Sequence, residues 1–566
     1  YSVSKLRDLS YRNKNYDDYD DLYQALELVF NKLADGTGTA LGLAGLGGMF
    51  KSNKTKFLNG LYLQNSYLLE AIYHIGYFKK EKHTIKINYR DMNTEELGSV
   101  YESLLELQPQ INIAAGEFVY VGEDQEVKPT KAKKSKKGSE RKITASYYTH
   151  PSLVQEIIKT SLEPKIREAI KDNPNDPVKA LLELRIIDPA CGSGHFLLAA
   201  ARKLANEIAQ VRAEDYASLG DLENLRLEAL HEVIGNCIYG VDKNPLAVEL
   251  CKSALWIEAA LPGKSLNFLD HHIKNGDSLV GIFNLSALEQ GIPDEAFSAV
   301  LDDDKDACKG LKKRNKDERE GRFLSLFDQD TNLKLQDLDE FKKQANNIND
   351  MDDSNLQSLE LKEKLFTDFM HSETYQNKKL ACDLWTSAFF IKKIKFNDPV
   401  NYPVPTSSTV KQFLMGKQIN KAKLNSAREV AIRYKFFHWP IEFPDIFLNG
   451  KQGFDVVLGN PPWERPKLQE QEFFAVRRPD IAGLSSKERK KQIESLAESS
   501  SVSDQILYKD YIAEKYFSDS FSVFMRFAGF NRFTATGDFN LYAVFTELAL
   551  KLLNPKARAG YVVPSG

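Results

Sequence analysis

The chain has 566 residues, 27% of them charged and 42% hydrophobic, with a formal net charge of −3. At roughly 150 residues per domain, this length suggests three or four domains of ordinary soluble composition. The balance excludes a globally basic nucleic-acid binder, so any basic surface has to be local. No apolar run approaches the ~20 residues that span a bilayer, so no membrane partner is expected. Five cysteines (Cys191, Cys237, Cys251, Cys308 and Cys382) form no CxxC or Cys/His cluster. That argues against a zinc or disulfide framework, fits a reducing cytoplasm, and leaves no metal site expected. Neither a signal peptide nor an initiator Met is present, and the chain is expected to be a piece of a longer product.

Residues 1–121 read as a helical N-terminal region. Tyr19 to Leu33 and Phe57 to Phe78 carry apolar residues at three- and four-residue spacing, and Thr94 to Leu107 is amphipathic with Thr94 or Asn93 as its cap. Gly36 to Gly48 holds six glycines, but Gly48 stands where a phosphate loop needs Lys, so a flexible connection is expected. Residues 122–142 form a polar linker, the most basic stretch of the chain, which suits either solvation or phosphate contact.

Residues 143–284 open with Tyr147-Tyr148-Thr149-His150-Pro151 and a helix over Ser152–Ile170. A strand at Leu184–Asp188 then runs into Pro189-Ala190-Cys191-Gly192-Ser193-Gly194 and a helix from His195 to about Val211. Strand, tight glycine turn and helix make a nucleotide-binding βα unit, because small residues let backbone approach a ligand and the helix start offers free N–H groups. A second strand, Asn236–Val241, ends at Asp242, with a helix over Pro245–Leu261, and a third, Ile273–Asn275, leads to Asp277. Acidic residues at such strand ends suit nucleoside hydroxyls and amines. Residues 285–440 read as a mostly helical insertion, including Leu356–Phe369 and Leu380–Ile394.

Residues 441–566 return to the sheet. Phe454 to Leu458 is a short apolar run between Gly453 and Gly459, expected as a buried strand, followed by Asn460-Pro461-Pro462-Trp463. This turn sets a side-chain amide, a free carbonyl and a flat ring at a strand end. The groups suit methylation of an exocyclic amine, whose lone pair is delocalised into the ring of adenine or cytosine. The Asn460 oxygen and the Pro461 carbonyl would accept its two N–H bonds and aim the lone pair at a methyl donor. Trp463 would stack on the extruded base. Pro479-Asp480 with Glu488-Arg489-Lys490 matches a metal-nuclease pattern in letters only, since Ser486–Leu496 reads as helix where that pattern needs a strand. Asn540–Leu553 reads as an amphipathic helix and Ala559–Val563 as a fifth strand.

The order of Tyr-Tyr-Thr, Asp188-Pro189-Ala190-Cys191-Gly192-Ser193-Gly194, Asp242, Asp277 and Asn460-Pro461-Pro462-Trp463 resembles the gamma class of N6-adenine DNA methyltransferases. Phe437-His438-Trp439-Pro440 and Leu97-Gly98-Ser99-Val100-Tyr101-Glu102 look like the large methylases of type IIG restriction enzymes and of the BREX and DISARM phage-defence systems. The resemblance implies a Rossmann-like α/β methyltransferase sheet, S-adenosylmethionine as donor, double-stranded DNA as partner, and other defence-system subunits as further partners. It implies that Tyr148 and Thr149 flank the donor, that Gly192 and Gly194 lie near its methionine part, and that Asp188 and Ala190 also bind it. It places Asp242 on the ribose hydroxyls, Asp277 at the donor's adenine amine, and Asn460, Pro461, Pro462 and Trp463 at the target base. Here His150 intervenes before Pro151, and Trp463 replaces the commoner Tyr, leaving adenine and cytosine both open at the turn itself. The other readings are a catalytically idle DNA-binding defence subunit and a protein glutamine methyltransferase. The resemblance also implies a further antiparallel strand and a recognition module. The natural product is therefore expected to continue past Gly566, with residues 1–566 alone poorly soluble or binding DNA without sequence preference.

Overall fold

The computed structural model describes residues 3–12, 15–37, 46, 50, 62–80, 83–89, 108–112, 117–121, 149–215, 222–261, 263–321, 338–352, 355–395, 402–448 and 453–564. Its centre is a five-stranded parallel sheet of β1 (Ile186–Asp188), β2 (Ile238–Asp242), β3 (Ile273–Asn275), β4 (Phe454–Gly459) and β5 (Leu553–Tyr561). The order across the sheet is β3-β2-β1-β4-β5, so the chain winds outward from β1 in one direction and returns to its other side at β4. Above the ends of β1 and β4, where the winding reverses, neighbouring connections diverge and leave a crevice.

Alternation along the strands divides the core between two faces. Ile186, Ile238, Val456 and Leu458 pack with Leu197, Ala201 and Leu204 of α1 (His195–Asp215). Ile187, Tyr239 and Val241 face the other way. Phe454 and Val457 share that second face despite their odd spacing, because the β4–β5 register shifts between Phe454 and Val456. After β2, Asn244 caps α2 (Pro245–Ala259), accepting from the Leu246 N–H at 3.0 Å, with Pro245 in the first turn where its missing N–H costs nothing.

The insertion contributes α3 (Glu373–Ser387) and α4 (Lys421–Tyr434) among its helices. Trp385 and Phe389 join Trp439 and Phe524 in one cluster with Ile187 and Tyr239, so its core is continuous with the second face of the sheet. Buried His438 ties the two together: its Nδ1 accepts from the Ile282 N–H at 3.1 Å, and its Nε2 donates to Asp383 of α3 at 2.9 Å. After β4 come α5 (Glu470–Arg477), α6 (Ser486–Leu496), α7 (Val502–Phe527) and α8 (Leu541–Leu552).

Several sequence expectations need correction. The N-terminal region is not all helix: besides Val3–Ser10, Asp21–Asp35 and Asn65–Gly76 it holds antiparallel hairpins Tyr77–Lys80/His83–Lys86 and Gln108–Asn112/Glu117–Val121. Tertiary pairing overrides helical spacing at Tyr77 and Phe78. β1 starts two residues late because the Leu184 N–H closes a turn onto Leu181 O at 3.3 Å. β2 starts at Ile238 because Asn236 still ends the preceding helix, Leu222–Asn236. The helix expected over Leu380–Ile394 runs instead over Glu373–Ser387, started by the Ser372 cap on the Tyr375 N–H at 3.2 Å. β5 begins at Leu553 rather than Ala559, with Pro555 tolerated because this strand is at the sheet edge. The Thr94–Leu107 helix, the 122–142 linker and Leu97 to Glu102 lie outside the described residues.

Candidate active site

The site grows from the ends of β1, β2 and β4. Asp188 is buried at the end of β1 and its Oδ1 accepts from the Ala190 N–H at 2.9 Å. The following loop is held over β2 by the Cys191 N–H on Val241 O at 3.0 Å. Gly192 and Gly194 have φ of +51° and +88°, in the left-handed region. A Cβ on Gly194 would meet Cys251 Sγ at 2.7 Å, whereas one on Gly192 would meet nothing within 4 Å. Gly194 is thus pressed onto α2 while Gly192 faces open space at the start of α1. Asp242, at the end of β2, accepts from the Gly192 N–H at 2.9 Å and from the Asn244 N–H at 2.7 Å. Asp277 accepts from the Leu279 N–H at 3.1 Å and pairs with Lys243 Nζ at 3.0 Å.

The turn after β4 locks into the same ensemble. Gly459 has φ +150°, and a Cβ there would stand 2.6 Å from Asp188 Oδ1, so only glycine lets the two strand ends approach this closely. The Asn460 amide is oriented at both ends: Nδ2 donates to Thr149 Oγ1 at 3.0 Å, and Oδ1 accepts from Trp463 Nε1 at 3.0 Å. Trp463 is 42% exposed. Its observed contact orients Asn460, a role that spacing did not suggest. Tyr148 lies outside the described residues, but Thr149 joins the Tyr-Tyr-Thr element directly to the Asn460 turn.

These residues border one cavity of about 670 Å³. Thr149, Asp188, Ala190, Gly192, Asp242, Asp277, Asn460 and Pro462 line it, while Gly194, Pro461 and Trp463 stand outside its lining. Burial raises the pKa of Asp242, opposed by the Asn244 and Gly192 N–H groups. Burial pushes Asp188 up to about 8, opposed by the Ala190 N–H and helped by the Asp242 charge. Among the described residues neither carboxylate makes an ion pair. Asp188, buried, and Asp242, partly buried, thus present two carboxyl groups to the same open space.

The Asp188 shift has a sign that can be tested. Its folded pKa of about 8 lies above the ordinary 3.8, so between those values the folded chain keeps a proton that the unfolded chain has lost. Stability therefore falls as pH rises across that window. Asp188→Asn keeps an acceptor for Ala190 and removes the charge. It should raise the thermal midpoint of the ligand-free protein, by more at about pH 8 than at about pH 5.5. Equal shifts at the two pH values would contradict the assignment.

The segment carrying Asp277 is braced from behind by the end of the insertion. Lys435 caps α4 with φ 55°, and its carbonyl accepts from the Asp277 N–H at 2.8 Å. The Phe437 and Trp439 N–H groups then donate to Val280 O and Ile282 O at 2.8 and 3.1 Å, so 435–439 runs beside 277–282 like an added strand. Trp439 Nε1 donates to Ser278 O at 3.0 Å, and Ser278 Oγ to Pro189 O at 2.6 Å. The Phe-His-Trp-Pro stretch was visible in the sequence, but nothing in its spacing told that it would brace Asp277. The nuclease-like letters are structural: Glu488 caps α6 through Ser485 Oγ at 2.6 Å, and Asp480 pairs with Arg478 at 2.8 Å. Among the described residues no group of three or more His, Cys, Asp or Glu is placed to hold a metal, and no helix is long and apolar enough to cross a membrane.

The model of the Eco57I restriction-modification methylase family matches residues 236–528, more than half of the chain. The chain belongs to that family. The model of the MmeI DNA-methyltransferase domain matches residues 169–266 of this Eco57I-family chain, across the first half of the site. Its sheet is accordingly a Rossmann-like methyltransferase sheet. RM.MjaORFECS2P of Methanocaldococcus jannaschii, provisionally named a type II restriction enzyme and methyltransferase, is 23% identical over 74% of this chain and 34% of its own length. The adenine-specific methyltransferase PglX of Streptomyces coelicolor is 32% identical over 23% of this chain and 10% of its own. The Eco57I-family chain thus spans about a third or less of these curated relatives. Among solved structures, the type IIL restriction-modification enzyme MmeI in complex with DNA is similar over 46% of this chain and 32% of that one, at 17% identity and TM-score 0.29.

Proposed function

We propose that this chain, within its full-length protein, transfers a methyl group from S-adenosylmethionine to the N6 amine of an adenine turned out of duplex DNA. The observation that carries the reading is the Asn460 amide, fixed by Thr149 and Trp463 on the same cavity as Asp188, Asp242 and Asp277. Membership of a restriction-modification methylase family supports DNA as substrate. The similarity to PglX, an adenine-specific methyltransferase, supports adenine over cytosine.

When bound, S-adenosylmethionine supplies an electrophilic methyl group on a sulfonium. Asp242 would take the ribose hydroxyls on lone pairs not used by Gly192 and Asn244, and Asp277 the donor's adenine amine. Gly192 and the open start of α1 would admit the methionine part, with Asp188 beneath it. On the target side, Asn460 Oδ1 keeps a lone pair beyond the one facing Trp463, and with the Pro461 carbonyl it would accept both N–H bonds of the target amine. That localises the nitrogen lone pair before attack, so no side chain need remove a proton first. Trp463 would fix the direction of that lone pair through its Nε1 contact and offer its exposed face to the base.

Asp242→Ala should weaken binding of S-adenosylmethionine about tenfold or more, the ~1.5–3 kcal/mol expected when a charged acceptor for two hydroxyls is lost. Calorimetry showing unchanged affinity in a folded variant would remove Asp242 from the site. The reading as a whole is tested by incubating the full-length protein with methyl-labelled donor and either duplex DNA or total cell protein. Label in DNA supports it. Label confined to protein overturns it.

A further inference from the structure

Lys243 follows Asp242 and is fixed at its backbone: its carbonyl accepts from Lys435 Nζ at 2.8 Å and from Asn275 Nδ2 at 3.0 Å. Only its side chain is free to move, and that side chain lies across the cavity. Nζ pairs with Asp277 Oδ2 at 3.0 Å and sits 4.7 Å over the ring of Phe517 on α7. Phe517 stacks in turn on Tyr434, at the end of α4, with ring centres 4.5 Å apart. Asp277, Lys243 and Phe517 all line the cavity. Asp277 is only 7% exposed and its Oδ1 already faces the Leu279 N–H, so Oδ2 is the oxygen left to meet a ligand. That oxygen meets the Lys243 ammonium.

We propose that Lys243 is a displaceable stand-in for the donor's adenine amine: it satisfies Asp277 while the site is empty, bridges to Phe517, and is released when a nucleoside bearing an exocyclic amine docks on Asp277. The inference rests on the reading of Asp277 as the acceptor of that amine. The chemistry suits the role. A buried carboxylate is costly while it has no partner. An ammonium on a long, half-exposed stem (55% for the Lys243 side chain) can provide one that is cheap to withdraw. The same ammonium also joins Asp277 to the ring of Phe517 on α7, whose Asp510, Glu514 and Phe521 line the same cavity.

The test is calorimetry on the full-length protein and its Lys243→Met variant with two ligands. One is S-adenosylhomocysteine. The other is its hypoxanthine counterpart, which presents a carbonyl oxygen where adenine has its amine. Lys243→Met should bind the adenosyl compound roughly three- to tenfold tighter, since no ion pair or ring contact has to be broken. It should show no gain for the hypoxanthine compound, which has no amine to take Lys243's place. Selectivity between the ligands therefore rises in the variant. A merely structural role for Lys243 would change both affinities together. An equal change in both, in either direction, or no change in either, overturns the proposal. Failure of the wild-type protein to bind S-adenosylhomocysteine at all would instead sink the donor-site reading beneath it.

Discussion

Asn460→Ala in the full-length protein should reduce methyl transfer on the order of a hundred- to a thousandfold or more, with donor affinity nearly unchanged. Asn460 stands at the end of β4, with Nδ2 on Thr149 and Oδ1 on Trp463, both at 3.0 Å. Among the described residues its side chain makes no hydrogen bond to Asp242 or Asp277. On the proposed reading, its removal would withdraw one of two acceptors for the target amine and leave Asp242 and Asp277 in place. Losing one preorganised polar contact to the reacting group typically costs about 3–4 kcal/mol of transition-state stabilisation, and the loss falls on kcat rather than on binding. The measurements are single-turnover transfer and calorimetric donor binding on the same preparation. Normal turnover would show that this turn does not hold the amine. Loss of donor binding in step with turnover would show that the Asn460–Thr149 contact builds the donor site instead.

Gly281→Ala should destabilise the fold by about 3 kcal/mol or more and loosen the donor site with it. A Cβ at Gly281 would fall inside the van der Waals shell of the Phe437 carbonyl, between the two N–H bonds that Phe437 and Trp439 make to Val280 and Ile282. The neighbour is backbone and cannot swing aside as a side chain would. Either the 435–439 segment moves off 277–282, releasing Asp277 from Lys435, or the chain does not fold. Gly310→Ala is the matched control: it lies within the helix Lys305–Arg319, and a Cβ there meets nothing within 4 Å. That change should be neutral or slightly stabilising. Thermal midpoints and donor affinities of the two variants separate the cases. A Gly281→Ala protein as stable as Gly310→Ala would mean that the close approach of the two segments is not needed.

The parallel sheet was legible because its strands are short apolar runs ended by chemically distinctive residues, Asp188, Asp242 and Asn460. Buried strands announce themselves by hydrophobicity, and their C-terminal ends are where ligand chemistry has to sit. The ends of those strands shifted by a few residues, because helix ends and turns compete locally for the same backbone groups, as at Leu184 and Asn236. The bracing of Asp277 by Lys435 to Trp439 was not legible. It depends on two segments more than 150 residues apart meeting edge to edge, and neither carries a pattern that encodes the other. The same holds for the second role of Trp463: the ring suggests stacking, and the contact of its indole N–H with Asn460 carries no sequence signal. Lys243 carries no sequence signal for a different reason. A lysine after an acidic strand end usually reads as solvated surface, and only the folded geometry brings it to Asp277 and Phe517.

The most direct measurement is modification-sensitive sequencing of genomic DNA from cells carrying the full-length gene, beside cells carrying the same gene with Asn460→Ala. The account predicts N6-methyladenine at a defined sequence motif in the first and its absence in the second. Methylated cytosine at the motif, no methylated base in either strain, or the same adenine methylation in both would contradict it.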